Sequence, residues 1–503
     1  MRHERLVWVA NRIAIVSSCA WTLLACSSKG FAPSNPSPAS DAGPSPCTVT
    51  TAAAPACVLI VEPLQVDGGD AGDEDAGDLD ASTASDGDAP DATVLAYDAS
   101  CPITTTSEIQ CGDVSYELNA AANTTGEAYA SIVEPLYASS GTYATQLVDL
   151  KPDGTGTTSL EPVPRSENMR AVVVSNADGT PGIVGERSQT DLRYYTQSGG
   201  GWTAENIPGT AETAFSLNGA ASSKSGQVFA LLVNDAQHAS ILTRAASGGW
   251  TAGAPIAIAG ADTSTLALDV EGVPYVLGVG YDSSGTTSGF WLSTGSAPPV
   301  SFSGPSELAE GAMLAIAGAA GAQKDALAFV QNYSESTIDL YDATDRDAQR
   351  TLGGLASSTC PSLTIGFTCD DCQVGTQCDT YVDQITAFAA ALTDDGRVWI
   401  AYVAASVDEV SEVELDNDPI FPVGCICTTS TTSTTAQTAA IVVEPLGAKG
   451  ADTGISMRMP IPTSDGSSSI AMAASGSTLH VLVTKTGKVS HIAIDTSKVP
   501  VRR

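Results

Sequence analysis

Ser225-Gly226-Gln227-Val228-Phe229-Ala230-Leu231-Leu232 decides how this chain is read: a glycine turn is followed at once by an apolar run. The arrangement recurs. Ala171-Val172-Val173-Val174 leads to Asp178-Gly179 and then Ile183-Val184. Leu266-Ala267-Leu268-Asp269 leads to Glu271-Gly272 and then Tyr275-Val276-Leu277. Further copies are Leu327-Ala328-Phe329-Val330 after Gly321, Val398-Trp399-Ile400-Ala401-Tyr402 after Asp394-Asp395-Gly396, and Leu479-His480-Val481-Leu482-Val483 after Gly476. A degenerate first copy follows Gly126. The anchors at 126, 179, 226, 272, 321, 396 and 476 are separated by 53, 47, 46, 49, 75 and 80 residues. Each unit reads as a small-residue strand, a turn, a second apolar strand and a polar strand.

Two further echoes run through the chain. Ser198-Gly199-Gly200-Gly201-Trp202-Thr203-Ala204 matches Ser247-Gly248-Gly249-Trp250-Thr251-Ala252. Ile132-Val133-Glu134-Pro135-Leu136 matches Val442-Val443-Glu444-Pro445-Leu446 and Ile60-Val61-Glu62-Pro63-Leu64. The proline is expected to end a strand or sit on an edge, where its missing N–H does no harm. A period of 40–50 residues with four strands per unit is the sequence signature of propeller blades. The Ser-Gly-Gly-Gly-Trp-Thr segments resemble late-strand turns of bacterial propellers such as the sialidase-like and quinoprotein-like groups. The expectation is an all-β body over 101–503, a β-propeller of about seven four-stranded blades. Tandem β-sandwiches with similar strand spacing are the alternative. Small inner strands suit a crowded axis, and Phe229, Tyr275 and Trp399 are expected at equivalent buried positions. The last strands are expected to pair near the N-terminal copy after Cys111.

The chain has 503 residues, 22 Lys+Arg against 57 Asp+Glu, and a formal net charge of −35. Nucleic-acid binding needs a basic footprint, and this balance excludes it. Arg2, Arg5 and Arg12 precede an apolar stretch from Ile13 to Ala25, too short to span a bilayer and suited to a signal-peptide core. Leu23-Leu24-Ala25-Cys26, followed by Ser27-Ser28, resembles a bacterial lipobox. The resemblance implies a signal peptide over 1–25 and lipidation of Cys26, so that acyl chains hold the protein to a membrane. Ser27 in the second position favours the outer membrane. The Ala/Gly/Ser/Thr-rich composition resembles that of myxobacterial exported lipoproteins.

Residues 26–100 are expected to be a tether. Between Lys29 and Lys151 there is no Lys or Arg against 19 Asp+Glu, and the Asp-Ala-Gly steps of 67–91 offer little apolar surface to bury. Cys57-Val58-Leu59-Ile60-Val61 is apolar enough to form a stray strand on the body. Cys19 leaves with the signal, and ten cysteines remain beside Cys26. The pairs Cys47/Cys57 and Cys101/Cys111 are local and would close short loops. Cys360, Cys369, Cys372, Cys378, Cys425 and Cys427 fall in Cys-rich insertions near 357–380 and 411–440. An exported chain with an even number of cysteines reads as a disulfide framework. Cys369 and Cys372 have zinc-knuckle spacing, whereas Cys425-Ile426-Cys427 does not, so no metal is expected.

Catalytic motifs are scarce. His238, His480 and His491 are the histidines after the signal, and neither a zinc-protease helix motif, a nucleophile elbow nor a phosphate loop occurs. Asp178-Gly179-Thr180 and Asp394-Asp395-Gly396-Arg397-Val398-Trp399 partly match the Asp-box turn, and read more simply as turns capped by their aspartates. No cofactor is expected. The sequence points to a cell-envelope lipoprotein displaying its body as a binding or scaffold module. The partner would be an envelope protein or an extracellular polysaccharide. The alternative is a polysaccharide-acting lyase or glycoside hydrolase. Arginines, histidines and carboxylates gathered at an axial funnel would favour that enzyme.

Overall fold

A computed structural model describes residues 47–61 and, between loops, residues 101–500; the longest loops outside the description are 303–312, 353–363 and 417–425. The described residues form seven antiparallel sheets, with helix limited to two single 3-10 turns. Sheet 1 contains Leu118–Ala122, Ala128–Pro135, Thr142–Leu150 and Gly156–Leu160 in order, with Arg165–Ser166 beside the third strand. Sheet 2 contains Ala171–Ser175, Pro181–Ser188, Asp191–Ser198 and Gly201–Asn206. Sheet 3 runs Phe215–Ser222, Val228–Asn234, His238–Arg244 and Trp250–Ala252. Sheet 4 runs Ser264–Leu268, Pro274–Tyr281, Thr287–Ser293 and Val300–Phe302, and sheet 5 Met313–Ala320, Gln323–Asn332, Thr337–Asp342 and Ala348–Leu352. The four-strand units expected from the repeat are therefore present.

The last two sheets are composite. Sheet 6 orders Thr364–Cys369, Cys372–Leu392, Val398–Asp416, Ile426–Pro445 and Ile455–Ile461, with the early strand Val58–Val61 on its far edge. Sheet 7 orders Ile470–Ser475, Thr478–Lys485, Lys488–Asp495, Ile103–Gln110 and Thr48–Thr51. The C-terminal strand thus pairs with an N-terminal one, His491 opposite Ser107 and Ile494 opposite Ile103. The partner lies before Cys111 rather than after it. Two stretches of the expected tether, 48–51 and 58–61, also belong to the sheets. The Cys-rich insertions are not separate excursions: Thr376 pairs with Glu412, and Asp416 with Ile426, as prolongations of sheet 6.

The sheets bury both faces against their neighbours. Tyr129 and Ile183 pack between sheets 1 and 2, Tyr194 and Leu217 between 2 and 3, Phe229 and Val276 between 3 and 4. Phe329 and Ile400 pack between sheets 5 and 6, Trp399 and Leu479 between 6 and 7, and Leu482 and Ile132 between 7 and 1. The first strand of each sheet touches the first strand of the next, with Cys372–Leu392 standing in that place in sheet 6. That of sheet 7 touches those of both sheet 6 and sheet 1, so the order of contacts returns to its start.

Register explains the repeat. Three residues after their anchor glycines, Tyr129, Phe229, Tyr275 and Trp399 stand opposite Ala121, Ala221, Ala267 and Ala391 of the first strands. A large residue on the second strand thus meets a small one on the first, as tight packing of successive sheets requires. Trp399 is fully buried and Phe229 nearly so, while Tyr275 is only half-buried. In sheet 2 the equivalent position is Gly182, and the Tyr194 ring fills the space where its side chain would be. The two Gly-Gly-Trp echoes begin fourth strands. Trp202 packs on the cluster between sheets 1 and 2, and Trp250 meets Tyr194 edge-on at 5.8 Å between centroids. The Ile-Val-Glu-Pro echo is not a register marker. It falls on the second strand of sheet 1 and the third long strand of sheet 6, although Pro135 and Pro445 do end their strands.

Among the described residues there are two disulfides, Cys47–Cys111 and Cys57–Cys101. They correct the expected local pairing. Because 48–51 and 58–61 lie on the outer edges of two adjacent sheets, each early cysteine meets a cysteine flanking the 103–110 strand, not its neighbour in sequence. Residues 1–46, with Cys26, lie outside the described residues, as do Cys360 and Cys425 and the side chains of Cys369, Cys372, Cys378 and Cys427.

Candidate functional sites at the first turns and between sheets 5 and 6

Four of the turns between first and second strands share one geometry. In these the glycine N–H donates to the carbonyl three residues back: Gly179 to Asn176, Gly226 to Ser223, Gly272 to Asp269 and Gly396 to Thr393. These glycines adopt φ between 78° and 82°, the left-handed conformation that closes a type I turn on a hairpin. Gly321 falls outside the described residues. Asp178 Oδ1 accepts from the Thr180 N–H and hydroxyl, and Asp395 Oδ1 accepts from the Thr393 hydroxyl and the Arg397 N–H. Both Asp-box resemblances are turn caps.

First turns from sheets 1, 2, 3, 4, 6 and 7 line one cavity of about 170 Å³. Its polar groups bind one another. Asn123 Nδ2 donates to the Gly179 carbonyl at 3.1 Å, Ser475 Oγ donates to the Asn123 carbonyl, and the Ser175 N–H donates to Ser222 Oγ at 2.9 Å. Lys224 of sheet 3 reaches Asp394 of sheet 6 at 2.7 Å, both half exposed. Neither arginine nor histidine lines this cavity among the described residues. The arrangement stitches successive sheets together and offers few unengaged polar groups to a ligand.

A second cavity, about 120 Å³, opens between the outer strand of sheet 5 and the face of sheet 6 that packs on it. Strand alternation builds it. Ile400, Tyr402, Val442 and Leu446 turn toward sheet 5, which sets Glu444 on the same face between Val442 and Leu446. Arg458 pairs with Val442 and so continues that row from the next strand. From sheet 5, Arg350 Nη2 donates to Glu444 Oε2 at 3.2 Å and lies 3.4 Å from Asp452 Oδ2. Glu444 is 4% exposed. Its carboxyl pKa is pushed up by burial, against the pull of the Arg350 guanidinium. Burial, then the charge of Glu444, likewise raises the Tyr402 phenol, which stays protonated at neutral pH. Arg350 Nη1, Glu444 Oε1 and Arg458 Nε are buried without a hydrogen-bond partner among the described residues. Buried polar atoms are normally satisfied, so three such atoms around one cavity make it the candidate binding site.

Arg350 carries no motif in the sequence. Glu444 was visible only inside an echo, and Arg458 and Tyr402 carry no motif. The legible signal was an acid in the apolar run Ala440-Ile441-Val442-Val443-Glu444. Three other arginines are engaged: Arg193 with Asp191, Arg244 with Glu205 and over the Tyr194 ring, Arg397 with Asp395 and over Trp399. His480 and His491 line neither cavity. His480 Nδ1 and His491 Nε2 share a hydrogen bond at 3.0 Å, buried in sheet 7. His238 begins a strand of sheet 3. No group of three or more His, Cys, Asp or Glu suited to a metal occurs among the described residues.

No protein-family model and no curated protein matches this chain. Among solved structures it is similar to AofleA from Arthrobotrys oligospora, at 10% identity and a TM-score of 0.37, over 67% of this chain and 92% of that one. It is similar to the SapL1 lectin in complex with alpha methyl fucoside at 13% and 0.34, over 63% and 97%. A protein of unknown function from Dyadobacter fermentans matches at 11% and 0.36, over 77% and 98%.

Proposed function

We propose that this chain is an envelope lipoprotein whose body is a seven-bladed β-propeller serving as a ligand-binding module for extracellular polysaccharide. Supporting the architecture are the seven sheets, the small first strands, the contact order that returns to its start, and the pairing of 488–495 with 103–110. The lipobox Leu23-Leu24-Ala25-Cys26 supports the anchor, and the acidic stretch after it supports a tether that holds the body off the membrane. The observation that carries the binding role is the cleft between sheets 5 and 6, where buried Glu444 and the half-buried Arg350 and Arg458 each keep a buried polar atom without a hydrogen-bond partner among the described residues. Leaving such atoms dry costs folding energy that a ligand can recover on binding.

Two measurements test the proposal. Cys26→Ala should release the protein from the membrane pellet; a variant that still needs detergent for extraction refutes lipid anchoring. The full-length protein should co-sediment with extracellular polysaccharide of the producing cells, and Arg350→Gln should abolish that while the variant, though melting lower for loss of its pair with Glu444, remains folded at the assay temperature. Equal sedimentation by both proteins refutes the cleft as the binding site.

A further inference from the structure

We propose that the cleft between sheets 5 and 6 recognises neighbouring hydroxyls of an uncharged sugar residue. The inference rests on the binding role proposed above and names the ligand's chemistry. Around the cleft, one acceptor, Glu444 Oε1, and two donors, Arg350 Nη1 and Arg458 Nε, are buried without a hydrogen-bond partner among the described residues. Arg350 and Glu444 already share one contact, Nη2 to Oε2. That contact holds the two side chains against each other, so a single ligand can reach both. Such a ligand must give a proton to the carboxylate and accept one from the guanidinium, which neighbouring groups of one molecule can do together.

Charge narrows the choice. Arg350 and Arg458 are balanced by Glu444 and Asp452, so the lining favours neither sign. A carboxylate would satisfy the arginines but face Glu444 and Asp452 without a proton to donate, and a phosphate would add negative charge beside those two acids. An ammonium would satisfy Glu444 and be left against two guanidiniums. A hydroxyl donates and accepts at once. A vicinal diol can donate to Glu444 from one oxygen and accept from Arg350 at the next, and a third hydroxyl can accept from Arg458. Ser456 and Thr351 on the rim extend the same polar chemistry. The half-buried Arg350 and the nearly buried Glu444 give these bonds a low-dielectric setting, where charge-assisted hydrogen bonds discriminate most.

The test titrates the full-length protein, by calorimetry, with a panel of neutral methyl glycosides, with the matching monodeoxy glycosides, and with glucuronate and inorganic phosphate. At least one neutral glycoside should bind. Glu444→Gln and Arg350→Gln should each weaken it by about 10- to 100-fold, the scale of one hydrogen bond to a charged group. One deoxy analogue should lose a similar factor, and Lys224→Gln, at the distant turn cavity, should bind as the parent does. Melting temperatures of all variants establish that they are folded. Binding of glucuronate or phosphate in place of the neutral glycosides, still lost in Arg350→Gln, overturns the ligand class while upholding the cleft. Binding that survives in both cleft variants, or no binding by any probe, overturns the ligand class and the cleft together.

Discussion

Single positions show how tightly the turns meet. Gly226 and Gly249 have nearly the same backbone, φ 78° and 85°. A Cβ on Gly226 would fall on Cα and Cβ of Ala177 in the neighbouring turn, whereas one on Gly249 would meet nothing within 4 Å. Both alanine variants bear the left-handed cost of about 1–2 kcal/mol, and only Gly226→Ala adds an overpacking cost of about 1–3 kcal/mol. Denaturant melts of the two should rank them in that order by a clear margin; equal losses would mean that the first turns do not abut. The paired histidines offer a second test. Burial lowers the pKa of His480 to about 4, and burial with the proximity of His480 lowers that of His491 to about 3. In the unfolded chain both titrate near 6.5. Between those limits the unfolded state binds more protons, so stability falls as pH drops from about 6.5 toward 4, by roughly 1.4 kcal/mol per pH unit for each histidine. A His480→Leu/His491→Leu double variant should show a shallower acid limb in melting temperature against pH. An unchanged limb would place the acid sensitivity in other groups.

At the scale of elements, the early strands act as a latch. Thr48–Thr51 closes the outer edge of sheet 7 and Val58–Val61 that of sheet 6, so a short segment covers two adjacent edges that would otherwise be open. Disulfides across sequence separations of 64 and 44 residues hold it there. Closing loops of that size restricts the unfolded chain by about 4 kcal/mol each in the loop-entropy model, more than the short loops of the expected pairing would give. Replacing Cys57 and Cys101 together by Ala should lower the melting temperature markedly, and reductant should then produce a smaller further drop than in the parent. Equal melting of parent and variant would show that the latch contributes nothing. Sheet 6 shows the opposite tendency. Its hairpins run far beyond the other sheets, Cys378 opposite Val410 and Leu415 opposite Cys427, which is why the anchor spacing stretches there.

Across the whole molecule, the pairing of Lys488–Asp495 with Ile103–Gln110 joins the two ends of the body, with Lys488 and Glu108 in an ion pair at 2.7 Å. Sheet 7 lends one face to sheet 6 through Leu479 and Ile494, and the other to sheet 1 through Leu482 and Val489. Deleting 476–503 would strip both faces at once and leave two sheets with exposed apolar surface. The truncated protein should melt many degrees lower in a single transition, or fail to fold. Melting at the parental temperature would favour independent sandwich domains and sink the propeller proposal.

The sequence by itself determined the strand content, the unit of four strands and, at Gly126, Gly179, Gly226, Gly272, Gly396 and Gly476, the turn between first and second strands. These are local properties: glycine supplies the left-handed turn residue, and apolar alternation fixes which face of a strand is buried. It also placed Phe229 and Trp399 at equivalent positions, because register follows from the distance to the turn. Only the tertiary structure decided which cysteines pair, since Cys47 meets Cys111 through the edges of sheets formed from distant segments. It alone revealed the half-buried Tyr275 and the glycine at 182 filled by Tyr194. The cleft was illegible for the same reason. Arg350 lies on one sheet, Glu444 and Arg458 on the next, 94 residues separate the bonded pair, and no local pattern encodes a meeting of charges across two packed faces.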